Sequence, residues 1–316
     1  MIAAPALSHL STNPFQVFTA MNTSPLYVPL VDQGLIRASG EDAAGFLHNL
    51  LTNDINHLPE HGARHAALCT AKGRMIASFL IWREEADYLL QLSADILPGI
   101  LKKLSMYVLR SKVKLADISA ERTLIGVIGQ VDANTVPAEP MATAAYEGGT
   151  AIRLDAGRAI FALPAAAAPV LQPQGSLADW HLAEIRAGIP RIVAATQEAF
   201  VPQMVNYETA AVGGVSFQKG CYPGQEIVAR THYLGKVKRR MYRARMESHF
   251  PPGTDVFTPE AGDQHCGAII LTAPVPTGGY EALLVVQSSG AEADDVHVGQ
   301  PDGLRLTLLP LPYAVE

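Results

Sequence analysis

The chain has 316 residues, of which 48% are hydrophobic and 17% charged. That composition excludes a disordered chain and supplies core material for two or three domains. A net charge of −6 excludes a protein held to nucleic acid by bulk positive charge. Cys69, Cys221 and Cys266 are odd in number, far apart and contain no CxxC pair. They predict a reducing, cytoplasmic setting and argue against a disulfide framework or a closed zinc site. No apolar run reaches the ~18 residues of a membrane span.

In chain order, residues 1–24 carry no charge and no basic leader region, and Pro5, His9, Asn13 and Pro14 interrupt them. They read as a loosely ordered tail rather than a signal peptide. Ser39-Gly40-Glu41-Asp42 then reads as a helix start, followed by Ala43, Phe46, Leu47, Leu50 and Leu51 at helical spacing. The helix is expected to stop near Thr52-Asn53-Asp54. Segments 64–70, 75–82 and 87–92 are short, apolar and separated by turn residues, as strands are. Leu97, Ile100, Leu101, Leu104, Tyr107 and Val108 form one helical face. Because Pro98 is tolerated only in a first turn, that helix is expected to begin near Asp95.

Strand-like runs 122–128 and 150–163 flank a Pro/Ala-rich loop at 132–148. Residues 177–188 read as a helix ended by Gly188 and Pro190. Runs at 236–246, 265–272, 280–287 and 304–309 suggest a small antiparallel barrel. The fold class is α+β. The expected units are an α+β domain formed by 25–118 and 178–235, a small insert at 119–177, and a barrel at 236–316.

Residues 212–230 read VGGVSFQKGCYPGQEIVAR. The glycines and Pro223 demand unusual backbone geometry and place Cys221 at the crest of a turn. A thiol near a helix N-terminus and beside Lys219 is placed to form its thiolate. A tight turn around a buried, structural cysteine fits the same residues.

Positive charge is concentrated. Eight Lys and Arg residues lie in 219–245 and five in 102–114, together 13 of the 24. A carboxylate-rich small molecule, an RNA backbone or plain solvent could each face them. Pro59 and Gly62 interrupt the helical spacing of His57, His61 and His65, so no metal is expected there. Trp180 reads either as a core aromatic or as a stacking platform for a flat ring.

The run Lys219-Gly220-Cys221-Tyr222-x-Gly224-Gln225-Glu226, followed by Arg230, resembles the signature of the YgfZ-type folate-binding family, relatives of the glycine-cleavage T-protein. Val201 to Asn206, Gly213 to Phe217, Leu51-Thr52-Asn53-Asp54, Ala71-Lys72-Gly73-Arg74-Met75 and Leu104 to Val113 resemble other parts of that family. The resemblance runs from about residue 30 to the C-terminus. It implies a T-protein-like multidomain arrangement around a central channel, closed by the barrel, and tetrahydrofolate bound there. Polyglutamylated folate would bring its anionic tail to the basic segments.

It further implies a role in assembly or repair of iron–sulfur clusters in client enzymes and, through them, in tRNA modification, with a weak tRNA contact. It assigns the working residues to Cys221, Lys219 and Glu226, and folate contacts to Trp180, Gln33, Gln203, Asn206, Tyr222, Gln225 and Arg230. A family tryptophan falls at Gln33 here. The T-protein's acidic pair falls at Ala77 and Ser78, neither of which can act as a carboxylate base. An ordinary aminomethyltransferase is therefore not expected. A folate-dependent one-carbon transferase and a tRNA-binding module using the basic strand are the alternatives.

Overall fold

The computed structural model describes residues 24–131, 134–167, 174–235 and 237–315. The tail expected before residue 24 lies outside the described residues. Strands β1 (Leu26–Pro29) and β2 (Gln33–Ser39) precede helix α1 (Ala43–Leu50). Strands β3 (Ala63–Cys69), β4 (Met75–Glu84) and β5 (Asp87–Ser93) lead to α2 (Leu97–Val108). Then come β6 (Lys114–Asp117), β7 (Arg122–Ile128), β8 (Thr143–Tyr146), β9 (Gly149–Asp155), β10 (Arg158–Pro164) and α3 (Leu177–Ala187). The last part holds α4 (Gln225–Leu234), β11 (Arg239–Met246), β12 (Asp255–Phe257), β13 (Gly267–Pro274) and β14 (Tyr280–Gln287). Helix α5 (Ser288–Glu292), β15 (His297–Val298), β16 (Leu304–Arg305) and β17 (Thr307–Leu309) complete it. No described helix is long and apolar enough to cross a membrane.

Three antiparallel sheets result. The first has the order β3-β4-β5-β2-β6, the second β1-β7-β10-β9-β8. The third, β16-β15-β12-β13-β14-β11-β17, curls into a nearly closed barrel. Two details depart from the sequence reading. Leu26–Pro29, expected with the first unit, pairs with β7 of the second sheet. The run 150–163 is not one strand but a hairpin, turned at Ala156-Gly157, and its partner β8 lies within the expected loop.

The helices start and stop for local reasons. In α2, Pro98 sits in the first turn, where its missing N–H costs nothing. In α3, Ser176 and Asp179 form a reciprocal capping box, and Gly188 ends the helix in the left-handed region with φ of 67°.

Two of the hydrophobic cores are shared between units. Val28, Leu35, Trp82, Leu124, Ile160 and Trp180 cluster where the first and second sheets meet. Ala67, Met75, Ile185, Tyr207, Met241 and Leu283 join the first sheet and α3 to the barrel. Full burial of each large apolar side chain stabilises by about 1.5–3 kcal/mol, so these clusters fix the units against each other. Helix α3 touches β1, β7, β13 and β14 and stands at the junction.

Candidate functional site

A cavity of about 750 Å³ lies at this junction. Trp180 projects into its wall from α3, together with Glu184 one helical turn later. Gln33 of β2 and Gln91 of β5 come from neighbouring strands paired in register. Gln91 donates its amide to Gln33 Oε1. Arg64, His65, Ser78, Asp155, Arg158 and Arg191 are among the other polar residues of the lining.

Trp180 is 1% exposed and packs against Gly126, the one residue type that leaves room for it. A Cβ at Gly126 would lie 2.4 Å from the indole ring. Arg158 holds its guanidinium 5.9 Å from the centre of the same ring.

The wall carries polar atoms without hydrogen-bond partners in the protein: Gln33 Nε2, Gln91 Oε1, Glu184 Oε2, Trp180 Nε1, and Nε and Nη1 of Arg191. Glu184 Oε2 also lies 3.8 Å from Arg191 Nη2 as an ion pair. Arg191 is anchored through its remaining nitrogen, which bonds Asp32 Oδ2 at 2.7 Å. His181 Nε2 lies 2.8 Å from the same oxygen. Burial alone would raise the Asp32 carboxyl, but His181 and Arg191 outweigh it and hold it at about 2. Burial, reinforced by the Arg158 charge, takes the His65 imidazole down to about 4, so it is neutral.

The cysteine turn forms a second locus. Cys221 is exposed, whereas Cys69 and Cys266 are buried. The turn leans on the β3–β4 connection, glycine against glycine. A Cβ at Gly224 would fall 2.4 Å from the Thr70 carbonyl and 2.6 Å from Gly73. Gly224 is also left-handed, with φ of 81°, where it caps α4. The two motifs 71–75 and 219–226, each carrying a glycine at the contact, are thus two sides of one contact.

Lys219 turns inward to the end of α1. It is 8% exposed and donates to the carbonyls of His48 and Leu51 at the end of α1, the latter at 2.6 Å. Burial pulls its ammonium down to about 8, while the charges of Asp54 and Cys221 oppose the shift. Its ammonium also sits 4.9 Å from the centre of the Tyr222 ring.

The two loci are connected. Thr52 donates to the Gly214 carbonyl at 2.6 Å and accepts from Ala67 N–H at 2.8 Å. Asn53 donates to the carbonyls of His65 and Gly213 at 2.7 and 2.6 Å. His65, Val212 and Gly213 line the cavity, so the Thr-Asn pair ties its wall to the segment that continues into Cys221.

Of the ten residues expected at the site, only Trp180 and Gln33 line this cavity. Gln203 and Asn206 are buried clamps: Gln203 donates to the Val228 carbonyl of α4, Asn206 to the Met241 carbonyl of β11. Tyr222 is buried under the turn, and burial raises its phenol. Gln225 opens α4 and donates weakly to the Gly220 carbonyl at 3.5 Å, while Glu226 and Arg230 are exposed on that helix. The basic strand is largely spent internally. Arg240 pairs with Glu208, Arg243 lies 4.0 Å from Glu281, and Arg245 donates to the Gly278 carbonyl. Lys236 lies outside the described residues.

Sequence reasoning missed Glu184, Arg191 and Gln91. Gln91 interrupts the apolar strand YLLQLS, and Glu184 falls four residues after Trp180. Both are polar positions on otherwise buried faces, the pattern that could have found them.

Comparison with known proteins places the fold and the family. The fold is that of the glycine-cleavage T-protein class. The aminomethyltransferase T of the glycine cleavage system from Bartonella henselae superposes over 92% of this chain and 86% of its own, with a TM-score of 0.65. At 16% identity that likeness concerns the fold alone. No protein-family model matches the sequence. The chain belongs to the family of the tRNA-modifying protein YgfZ. The Photobacterium profundum member is 32% identical over 307 residues, 92% of either chain. That of Photorhabdus laumondii is 31% identical, covering 96% of this chain and 98% of its own. That of Colwellia psychrerythraea is 34% identical over 253 residues, 75% of this chain and 76% of its own.

Proposed function

We propose that this protein binds tetrahydrofolate in the cavity beside Trp180. In that role it is an accessory factor for assembly or repair of iron–sulfur clusters in client enzymes and, through them, for tRNA modification, with Cys221 as its working thiol. The observation that carries the folate reading is the lining. A flat, fully buried indole stands among donors and acceptors that lack partners. A pterin is flat and edged with both N–H donors and acceptors. Each buried polar atom left unpaired costs about 1–3 kcal/mol, which a ligand of that chemistry would recover. Glu184 and Gln91 would accept from the ring, Gln33 and Arg191 would donate to it, and Trp180 would pack against it. Tetrahydrofolate supplies a reduced ring able to carry one-carbon units.

Group transfer in the T-protein manner is not part of this reading. Ser78 lines the cavity, but its hydroxyl accepts from Ile192 N–H at 2.9 Å, and Ala77 is buried in the core. Glu226 lies on the exposed side of α4, away from the cavity lining. The link to tRNA modification is supported by the name its relatives carry. The exposure of Cys221 supports its role, and three free cysteines fit the cytoplasm.

Two experiments test the proposal. Tetrahydrofolate titration should quench tryptophan fluorescence, and Trp180→Phe should weaken binding; unchanged affinity removes Trp180 from the site. A deletion strain complemented with Cys221→Ala should lose activity of an iron–sulfur tRNA-modifying enzyme while the purified variant still binds folate. Full complementation would end the claim for the thiol.

A further inference from the structure

A second cavity, of about 980 Å³, lies between α4, β11 and the C-terminal segment. It shares Ala210 and Ala211 with the first cavity and no other lining residue. We propose that it is a separate binding site for an organic cation, a ligand headed by an ammonium or guanidinium group.

The acceptors decide the class. Gln203, 1% exposed, lines this cavity and has no partner for Oε1. Its amide nitrogen is already committed to the Val228 carbonyl at 2.7 Å, so the unpaired end is the carbonyl oxygen. Glu208, with a side chain 9% exposed, has no partner for Oε2. Its other oxygen pairs with Arg240, whose Nη1 also bonds the Gln203 backbone carbonyl at 2.9 Å. The local guanidinium thus serves Glu208 Oε1 and the Gln203 backbone carbonyl, and Gln203 Oε1 and Glu208 Oε2 remain without hydrogen-bond partners. Both can only accept, so a ligand here must bring hydrogen-bond donors, and the charge nearby favours cationic ones.

Charge and shape agree. Among the described lining residues two carboxylates, Glu208 and Glu292, stand against a single guanidinium, Arg240. An anion would meet unpaired acceptors and like charge, at a cost of desolvation with no partner. Tyr242 and Tyr313 also line the cavity, and a tyrosine ring is a surface that attracts a cation. Thr231 and His232 come from α4, the helix that begins at the cysteine motif. An occupant would therefore bear on the back of that helix while Cys221 stays exposed on the turn before it.

The cation could be a free metabolite or the side chain of a basic peptide, and the chemistry of capture is the same. The test is calorimetric titration of the full chain with agmatine, cadaverine, a capped Gly-Arg-Gly peptide and the neutral analogue pentanamide. The expected result is binding of at least one cation and none of pentanamide. The ratio of agmatine to peptide affinity tells the free cation from the side chain. Glu208→Gln should weaken binding by about tenfold or more, the scale of one charge-assisted hydrogen bond. Glu292→Gln, an exposed change that leaves the fold intact, should weaken it by about two- to fivefold. Because Glu208→Gln removes a buried ion pair, NMR shift mapping on the wild type provides a second readout. Agmatine or the bound peptide should move resonances of Gln203, Tyr242 and Tyr313. Saturating tetrahydrofolate should leave cation affinity unchanged. Failure of every cation to bind, equal binding of pentanamide, shifts confined to the Trp180 cavity, or competition by tetrahydrofolate would each overturn the proposal.

Discussion

Gly126→Ala is expected to disable the cavity from behind. Gly126 lies in mid-strand on β7, without a positive φ, so its backbone would accept alanine. Only space forbids the change. The added Cβ would lie 2.4, 2.6 and 2.8 Å from three carbons of the Trp180 ring, whereas ordinary contact begins near 3.4 Å. The indole must therefore retreat by about 1 Å, and its open side is the cavity. Overpacking of this kind costs about 1–3 kcal/mol. The assay is a denaturant melt followed by circular dichroism, paired with a tetrahydrofolate titration. Stability should fall by that amount, and folate affinity should fall with it. Gly126→Ala combined with Trp180→Phe should recover part of the stability, because the smaller ring relieves the clash, but not the affinity. A variant that melts and binds like the wild type would refute the packing argument. Additive losses in the double variant would refute the coupling between the two residues.

Three further outcomes are expected. Lys219→Met leaves the His48 and Leu51 carbonyls without their donor, so it should cost about 1–3 kcal/mol in a urea melt; an unchanged midpoint would mean that Lys219 does not brace the cysteine turn. The Asp32 carboxyl, held at about 2 against 3.8 in the unfolded chain, contributes about 2 kcal/mol at pH above 3.8, and this is lost as pH falls through 3.8 towards 2. The stability gap between wild type and Asp32→Asn should accordingly narrow in melts taken from about pH 6 down to pH 3, and a constant gap would sink the assignment. Arg240→Gln should destabilise by about 3–5 kcal/mol, because it strands the buried Glu208 charge, whereas Lys238→Gln on the exposed edge should change stability by less than about 0.5 kcal/mol; equal effects would restore the basic strand as a simple surface patch.

The sequence by itself determined the local elements and their punctuation. Helical spacing from Leu97 to Val108, with Pro98 confined to a first turn, and the stop at Gly188 depend on interactions within a few residues, and those appear as written. It also marked the glycines of the cysteine motif, because left-handed backbone at Gly224 is a local demand. The residues 71–75 and 219–226 were each legible as motifs, but not as neighbours.

Tertiary structure alone decided what each conspicuous residue touches. Lys219 turns inward to the end of α1, and Gln203 and Asn206 became clamps rather than cavity residues, because buried carbonyls from distant segments needed donors there. The basic run at 239–245 lost most of its free charge to Glu208, Glu281 and the Gly278 carbonyl, partners 30 or more positions away in the chain. Gln91, Glu184 and Arg191 emerged as cavity residues only once two sheets and α3 met. A buried polar atom reveals its role through the partner it lacks, and that vacancy exists only after distant segments have packed around it.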